Sequence, residues 1–445
     1  MTVLVYGLGR SGLAVLRLLV RQGHPVEFFE QRADGPDVSE ALNLGARRLK
    51  NVAESDASVV IAAPGVPIDH PDLLALSRRG LEITGEVGWV HRTVKAPLVG
   101  VTGTAGKGTV TAWVTHVLQG AGIDAVAGGN IDPALAEVAR TDTVLVTELS
   151  SFQLERSTSL DARVAVILNL GSDHLDRHGS VSAYHAAKRN LLQHQQQGNL
   201  LIINADDPIL RAWRSSHHAR TAGFSLTGPA EAWLDGEQLL LHGQPLVRTG
   251  SLKLRGPHNV ANALATALAC HELGVTAADI ARHLVSFTGL PGRFSTVAEF
   301  DGLTFIEDSI ATRPLAVRAA LEASSPPLVW IAGGRNKGAL MSEFRELAQE
   351  RVSLFIGIGE AGAGFCSELE AHVPVLHVPD ASGRQALRRA VRAAAQHLTG
   401  NSHRGGTVLL APLATSFDQF ADYRERGKVF REEVRLLEES WIPSY

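Results

Sequence analysis

The sequence predicts an α/β protein of three domains: a Rossmann-like N-terminal domain, a central P-loop mononucleotide-binding domain and a Rossmann-like C-terminal domain. Three observations support this. The chain has 445 residues, and a domain typically has about 150. Apolar strand patterns alternate with helical patterns at both ends of the chain. Between them, a glycine-rich turn joins a buried strand to a helix. We predict domain boundaries at 1–92, 93–293 and 294–445.

Composition narrows the class of protein. Hydrophobic residues are 45%, charged residues 20%, and the net charge is −4. This balance is typical of a globular protein and gives no basic stripe for nucleic acid. No apolar run approaches the roughly 20 residues of a membrane span, and we expect no secretory signal. The two cysteines, Cys270 and Cys366, lack metal spacing. We therefore expect them to pack in a core, in a reducing cytosol.

The first domain begins with a strand, the turn Gly-Leu-Gly-Arg-Ser-Gly at 7–12, and a helix to about Gln22. An acid, Glu30, follows the second strand. This pattern is typical of dinucleotide binding. The same pattern is equally typical of a turn that binds the diphosphate of another nucleotide. It also fits a turn in which the glycines only allow the first helix to pack on the sheet, and all three interpretations stay open. Strands are predicted at Val3–Tyr6, Val26–Phe29 and Val59–Ala62.

The second domain opens with the glycine-rich segment 97–109, which contains Lys107. Such a turn aims backbone N–H groups and a helix N-terminus at one point, which suits a phosphate. A turn that needs glycine only for its backbone is the alternative, which the coincidence of glycine, lysine and strand–helix context disfavours. The P-loop pattern has Ser or Thr directly after the lysine, to bind Mg²⁺. Gly108 stands there, and Thr109 is one residue late, about 100° further round the helix.

Polar residues follow two further strands of this domain. Glu148 ends one strand and is predicted to hold Mg²⁺, the alternative being a solvated acid. The stretch 169–178 follows another strand. There His174 and His178 are four apart and could bind zinc on a helix, but no third ligand of matching spacing is evident. An exposed loop position is the favoured interpretation for His178.

Lys188 and two asparagines complete the candidate residues of this domain. By itself Lys188 has the pattern of a solvated helical lysine. Asn259 could cap an alanine-rich helix, which would place Asn262 on its first turn. Both amides could instead touch a nucleotide, and the choice stays open.

Other elements are predicted from the same patterns. They are a linker at 91–96, strands at Thr143–Thr147, Val164–Leu168 and Leu200–Ile203, a β meander within 222–255, a helix from about Val260 to Leu273, strands at Leu328–Ala332, Ser353–Ile358, Val375–Val378 and Thr407–Leu410, and a closing helix from about Gln419 to Glu439.

Taken together, the motifs resemble those of the Mur ligases, in the same order and along the whole chain. ELSSFQLE and the C-terminal SFDQF…ERG are similar to the branch of the family that adds D-glutamate. The matching segments are GLGRSG (7–12), APGVPIDHP (63–71), TGTAGKGTVT (102–111), GGNI (128–131), ELSSFQLE (148–155), DHLDRH (173–178), AAK (186–188), NADD (204–207), GPHNVANALA (256–265), GLPGRF (289–294), EDSIAT (307–312), AGGRNKG (332–338) and LAPLATSFDQFADYRERG (410–427).

The resemblance implies a function for each domain. The N-terminal domain would bind a UDP sugar rather than a dinucleotide, the central domain ATP, and the C-terminal domain the incoming amino acid. The implied reaction is the ATP- and Mg²⁺-dependent joining of D-glutamate to UDP-N-acetylmuramoyl-L-alanine through an acyl phosphate, in peptidoglycan synthesis. A cytoplasmic monomer is expected, with neither nucleic acid nor membrane as a partner.

The resemblance also implies site residues. The UDP-sugar positions are Arg10, Ser11, Glu30, Arg32, Gly65, Asn130 and Gln153. The ATP positions are Thr102, Gly103, Thr104, Ala105, Gly106, Lys107, Gly108, Thr109, Asn262, Arg293 and Asp308. The amino-acid positions are Thr312, Lys337, Ser416, Phe417 and Tyr423. The Mg²⁺ ligands are Glu148, His174 and a carbamoylated Lys188, and the catalytic residues are Lys107, Lys188 and His174.

The chain departs from the family pattern at five positions. They are Ala105 (usually Asn), Gly108 (usually Ser or Thr), Gly292 (usually His), Ile310 (usually Lys) and Arg313 (usually Asn). Gly108 lacks the hydroxyl that is expected to bind Mg²⁺, and Ile310 lacks the positive charge expected near the reacting groups. Two alternatives therefore stand beside the leading hypothesis: a related ligase for another amino acid, and a nucleotide- or UDP-sugar-binding protein with weakened catalysis. An NAD oxidoreductase built on 7–12 is disfavoured, because no nicotinamide-linked proton relay is apparent.

Overall fold

The computed structural model describes residues 1–441 except 33, 158, 291, 337, 380, 381 and 401–404, and it leaves the side chain of 315 undescribed. It divides into two compact units, one formed by Met1–Lys253 with Pro257–Phe287 and the other by Leu254–Gly256 with Thr288–Tyr445. The first unit holds two β-sheets and the second holds one. The predicted α/β class is confirmed, while the predicted boundaries at 92 and 293 stay predictions.

The first sheet has five parallel strands in the order β3-β2-β1-β4-β5. The three predicted strands of this domain are confirmed to the residue. A Cβ at Gly12 would lie 1.9 Å from the carbonyl oxygen of Gly7, so the third glycine is needed where the first helix meets the turn. The elements are β1 (Val3–Tyr6), α1 (Arg10–Arg21), β2 (Val26–Phe29), α2 (Pro36–Asn43), β3 (Arg47–Arg48), β4 (Val59–Ala62), α3 (Pro71–Arg78), β5 (Glu82–Thr84) and α4 (Glu86–Val94).

The second sheet has nine strands in the order β14-β13-β12-β11-β10-β9-β6-β8-β7. The predicted linker at 91–96 is wrong over its first four residues, because α4 continues through Val94. The elements are β6 (Leu98–Thr102), α5 (Lys107–Gly120), β7 (Ala125–Gly129), α6 (Leu135–Val138), β8 (Val144–Glu148), α7 (Ser151–Leu154), β9 (Val164–Ile167), α8 (Leu175–His178), α9 (Val181–Arg189), β10 (Leu200–Asn204), α10 (Pro208–Ser215), β11 (Arg220–Ser225), β12 (Ala232–Asp235), β13 (Gln238–Leu241), β14 (Gln244–Arg248), α11 (Pro257–Glu272) and α12 (Ala277–Ser286).

Within this sheet β6 lies between β8 and β9, and all three are parallel. The glycine-rich loop, Glu148 and Asn169 follow or end these strands, so they meet at one edge of the sheet, where open α/β sheets bind ligands. The predicted meander is real in β12–β14, whose neighbours pair antiparallel. It is not a separate sheet, because β12 pairs with β11.

The third sheet has six strands in the order β15-β16-β20-β17-β18-β19, parallel except for β15. The closing helix begins at Tyr423, later than predicted, because Asp422 accepts a hydrogen bond from the N–H of Glu425 and caps it. The elements are β15 (Ser295–Phe300), β16 (Leu303–Glu307), α13 (Pro314–Ala323), β17 (Leu328–Gly333), α14 (Arg345–Arg351), β18 (Val352–Ile358), α15 (Gly359–Leu369), β19 (Val375–Val378), α16 (Gly383–Gly400), β20 (Gly406–Leu410) and α17 (Tyr423–Glu439).

Both cysteines are buried, which confirms the packing role expected for them. Within the described part of the chain, none of the helices combines the length and the apolar composition that a membrane crossing requires.

Candidate functional site

The glycine-rich loop after β6 turns tightly, and its own lysine donates hydrogen bonds back to it. Gly103 and Gly106 have φ values of +153° and +82°, which favour glycine. A Cβ at Gly106 would also lie 2.7 Å from the side-chain oxygen of Asn262. The Lys107 Nζ donates to the carbonyl oxygens of Gly103 and Thr104, both at 3.0 Å. The lysine charge therefore lies over the loop, as phosphate binding requires.

Asn169 fixes the shape of this loop from the neighbouring strand. Its Oδ1 accepts from the N–H groups of Thr104 at 3.0 Å and Ala105 at 2.9 Å, and its Nδ2 donates to the Ala105 carbonyl at 3.1 Å. The first residue of the polar stretch after β9 therefore braces the phosphate loop.

Lys188 is not a solvated lysine, and that interpretation from its pattern is wrong. The residue is 1% exposed. Its Nζ donates to the Gly103 carbonyl at 2.8 Å and lies 4.4 Å from the centre of the Tyr184 ring. Burial and repulsion from Lys107 lower the pKa of Lys188 to about 7. A large fraction of neutral, nucleophilic amine is therefore present near neutral pH, which the addition of CO₂ requires.

Glu148 is buried at the end of β8, so the alternative of a solvated acid is wrong. It is 2% exposed. One oxygen, Oε1, accepts from the Asn130 side chain at 2.7 Å. The other, Oε2, is buried without a hydrogen-bond partner among the described residues. A buried carboxylate oxygen left in this way suits a hard divalent cation.

The two histidines of the 169–178 stretch have different surroundings. His174 has φ +54° at the start of α8, with its N–H bonded to Asp173. The side chain of His178 is 2% exposed, bonded to Ser151 at 3.0 Å and 3.2 Å from Glu155. The exposed-loop interpretation of His178 is therefore wrong. Over the part of the chain that is described, no group of three or more His, Cys, Asp or Glu could hold a metal, so a zinc site gains no support.

A cavity of about 370 Å³ lies at the carboxyl ends of β1, β2 and β4, and Glu30 and Gly65 line it. The Glu30 carboxylate accepts from the N–H of Leu8 at 2.8 Å and from Arg32 at 3.1–3.2 Å. Burial favours a higher pKa of Glu30, but these hydrogen bonds outweigh it and lower the pKa. Ser11 lies in the first turn of α1. Two of the predicted UDP-sugar positions, Glu30 and Gly65, therefore line one pocket.

Arg10 connects this region to the central domain. It donates to the Asn130 carbonyl at 2.8 Å and pairs with Asp132 at 3.2 Å. Since Asn130 also holds Glu148, the glycine turn of the first sheet is linked to the carboxylate of the second. Gln153 is buried and completes a capping box with Ser150, so its described contacts are local.

The second unit carries the other two predicted ATP positions, Arg293 and Asp308. Burial raises the pKa of Asp308 to about 7. The loop that contains Arg293 and the loop that follows Asp308 are joined by a hydrogen bond, which the Ile310 N–H donates to the Gly292 carbonyl at 3.1 Å.

Glu307 is a residue that the sequence analysis missed. It is fully buried, and its carboxylate accepts from the N–H groups of Gly292 at 2.7 Å and Ser309 at 3.0 Å and from Arg431 at 2.5 Å. One side chain thus ties both loops to the closing helix. The signal in the sequence was an acid directly before Asp308 at the end of an apolar strand.

A second cavity, of about 420 Å³, lies beside the predicted amino-acid positions, with Thr312 and Arg313 in its wall. Ser416 is buried, whereas Phe417 is 61% exposed. Tyr423 is the first residue of α17. Lys337 lies outside the described residues.

Three family models match the chain: "Mur ligase MurD-like, N-terminal domain" over residues 1–85, "Mur ligase middle domain" over 101–270 and "Mur ligase, glutamate ligase domain" over 292–412. The UDP-N-acetylmuramoylalanine–D-glutamate ligase of Thermus thermophilus is 43% identical over 99% of both chains. The ligase of that name from Deinococcus radiodurans is 43% identical over 98% of this chain and 92% of its own.

Solved structures are similar in fold. The UDP-N-acetylmuramate-alanine ligase of Thermotoga maritima aligns over 99% of this chain and 100% of its own, with a TM-score of 0.62 and 20% identity. A MurF ligase of Thermotoga maritima in complex with ADP aligns over 93% and 95%, with a TM-score of 0.58 and 17% identity. At such identities the likeness concerns the fold alone.

Proposed function

Because the chain belongs to the Mur ligase family, we propose that it joins D-glutamate to UDP-N-acetylmuramoyl-L-alanine, using ATP, as a step of peptidoglycan synthesis. Relatives 43% identical over nearly the whole chain carry the name of that ligase. One structural observation supports the reaction type: Lys107 and Lys188 both donate to the Gly103 carbonyl. In the same domain Glu148 is buried, and one of its oxygens has no hydrogen-bond partner among the described residues. A phosphate cradle, an amine of low pKa and an available carboxylate suit the activation of a carboxylic acid by ATP.

The reaction proceeds in two steps. The substrate carboxylate attacks the γ-phosphorus of ATP, which forms an acyl phosphate and releases ADP. The amine of D-glutamate then attacks the acyl carbon and loses a proton, and the tetrahedral intermediate collapses to an amide and inorganic phosphate. ATP is needed because a carboxylate is a poor electrophile and phosphate is a good leaving group.

The chain's own residues contribute position and charge. The loop's N–H groups and Lys107 bind the outer phosphates and offset the negative charge that develops during transfer. Asn169 keeps the loop in that shape by its three hydrogen bonds. Reactants held in line in this way react as parts of one complex rather than as separate molecules.

Mg²⁺ fits the acidic part of this site. Glu148 offers a buried oxygen that no described residue satisfies, and the pKa of Lys188, about 7, permits a carbamate there. We propose that Glu148, His174 and carbamoylated Lys188 hold Mg²⁺. When bound, the ion neutralises phosphate oxygens.

We propose that the domain at 1–92 binds the UDP sugar, the domain at 93–293 ATP and the domain at 294–445 the amino acid, with the UDP sugar also contacting two residues of the central domain and ATP one residue of the C-terminal domain. We assign the UDP sugar to Arg10, Ser11, Glu30, Arg32, Gly65, Asn130 and Gln153. We assign ATP to residues 102–109, Asn262, Arg293 and Asp308, and D-glutamate to Thr312, Lys337, Ser416, Phe417 and Tyr423. The protein is proposed to act as a monomer in the cytoplasm.

A second candidate is a related ligase for another amino acid. Ile310 stands where the family usually has lysine, and Arg313 stands where it usually has asparagine. Arg313 lines the cavity beside the predicted amino-acid positions, so the charge offered to the incoming amino acid differs from the usual pattern.

The test is phosphate release with UDP-N-acetylmuramoyl-L-alanine, ATP and D-glutamate, together with mass detection of the amide product. We expect release that depends on D-glutamate, that Lys107→Met abolishes, and that Lys428→Met, a change at an exposed lysine, retains. No release above the reaction without amino acid would reject the proposal. Release with another amino acid only would favour the second candidate. Nucleotide binding by calorimetry without any turnover would indicate a binding protein.

A further inference from the structure

The turn at 63–66 follows β4 and forms part of the cavity proposed for the UDP moiety. Gly65 and Val66 line that cavity. Within the turn the Val66 N–H donates to the Ala63 carbonyl at 3.1 Å. The position of this turn therefore sets the shape of one cavity wall.

Two arginines of the central domain donate hydrogen bonds to the carbonyl oxygens of the turn. Arg156 donates to the carbonyls of Ala63 at 3.1 Å and Val66 at 2.5 Å. Arg177 donates to the carbonyls of Pro64 and Gly65, both at 3.4 Å, and of Val66 at 3.0 Å. All four consecutive carbonyls of the turn therefore face a guanidinium group, whose rigid fork suits such multiple contacts.

Arg156 is held by burial, and Arg177 is held by side chains of its own domain. Arg156 is 6% exposed, and burial together with repulsion from Arg177 lowers its pKa to about 10, so it stays cationic at neutral pH. Arg177 donates to Glu155 at 2.9 Å and stacks over the Phe152 ring at 4.7 Å. Placing two like charges together in a buried position is unfavourable unless they are hydrogen-bonded. The turn supplies acceptors for the terminal nitrogens of both arginines, while the Nε of Arg156 has no hydrogen-bond partner among the described residues.

The side chains around Arg177 also contact one proposed catalytic residue, His174. The Phe152 ring on which Arg177 stacks also contacts the His174 ring, and the two ring centroids are 4.7 Å apart. Arg177 and His174 are three residues apart, since His174 is the N-cap of α8 and Arg177 is the third residue of that helix. The cavity wall and the catalytic side chain are thus linked through one aromatic ring.

We propose that Arg156 and Arg177 are positioning residues for the nucleoside diphosphate part of the substrate, which fix the 63–66 turn so that the cavity is formed before binding. This inference rests on the proposed function, since that function supplies the UDP ligand. Preorganisation of this kind raises affinity, because the turn need not be ordered during binding.

The experiment compares Arg156→Lys and Arg177→Lys with the full wild-type chain, measuring the Kd of UDP and of ADP by calorimetry. Lysine keeps the charge but loses the fork. We expect the Kd of UDP to rise about tenfold or more, the Kd of ADP to stay unchanged, and the KM of the UDP sugar to rise with little change in kcat. Arg140→Lys alters an exposed arginine of the same domain that pairs with Asp124, and it serves as the matched control.

A milder variant covers the case in which the arginine variants do not fold. Glu155→Gln weakens only the hold on Arg177, and it should raise the Kd of UDP by a smaller factor while leaving the Kd of ADP unchanged.

The outcomes separate the two hypotheses. A wild-type chain that binds no UDP overturns the proposed function, and this inference with it. A wild-type chain that binds UDP, with variants that bind it equally well, overturns the inference alone. Equal losses of UDP and ADP affinity also overturn it, because they indicate a general structural role for the arginines.

Discussion

Glu86 should make the stability of the first unit depend on pH. It is the first residue of α4 and is buried. Its Oε1 accepts from the Ala136 N–H at 2.8 Å, whereas its Oε2 has no hydrogen-bond partner in the described part of the chain. Burial raises the pKa of Glu86 from 4.5 to about 7, although the hydrogen bond from Ala136 opposes that rise.

The magnitude follows from this pKa. Between pH 4.5 and about pH 7 the folded chain holds a proton that the unfolded chain has lost, so the free energy of unfolding falls as pH rises through this window. Above pH 7 the folded chain bears the whole cost of a buried carboxylate. The pKa difference, at about 1.4 kcal/mol per unit, gives about 3 kcal/mol.

The perturbation is Glu86→Gln, which keeps an acceptor for the Ala136 N–H but is neutral at every pH. We expect the variant to match the wild type near pH 4.5 and to be more stable by about 3 kcal/mol at pH 8. Urea unfolding would be followed by tryptophan fluorescence, since Trp89 lies buried on the same helix.

Glu82→Gln is the control, because it neutralises a half-exposed carboxylate that pairs with Arg92. Its effect should be within about 1 kcal/mol. If Glu86→Gln changed stability equally at pH 5 and pH 8, the argument that Glu86 is buried at a thermodynamic cost would be refuted.

Three further predictions concern the loops. Gly12→Ala would put a Cβ 1.9 Å from the Gly7 carbonyl oxygen, so it should lower the melting temperature and weaken UDP binding, and an unchanged melting temperature would contradict the packing argument. Glu307→Gln would leave the buried end of Arg431 without its anionic partner. It should cost about 3–5 kcal/mol in chemical denaturation and raise the KM of ATP; a loss under 1 kcal/mol would count against the role of this carboxylate. Gly108→Ser should lower the Mg²⁺ concentration for half-maximal phosphate release, and no change in that titration would mean that another group already supplies the missing oxygen.

The sequence by itself determined many of the strands, the phosphate loop and the family. Strands such as Val3–Tyr6 and Val375–Val378 were predicted to the residue, because a short apolar run between turns is a local signal. The glycines at 103 and 106 likewise adopt positive φ angles, which their residue type permits. The order of motifs is also a property of the sequence alone.

The tertiary structure alone decided which polar side chains are buried and what they face. Lys188 meets the Gly103 carbonyl, 85 residues away in the chain, and Arg177 meets the turn that begins 114 residues before it, at Ala63. Burial, pKa and hydrogen-bond partners are set by atoms from distant segments, and a helical lysine on a surface has the same local pattern as a helical lysine in a core. For this reason Lys188 and His178 could be singled out in the sequence while their environments required the folded chain, and the role of Glu307 became visible only in the structure.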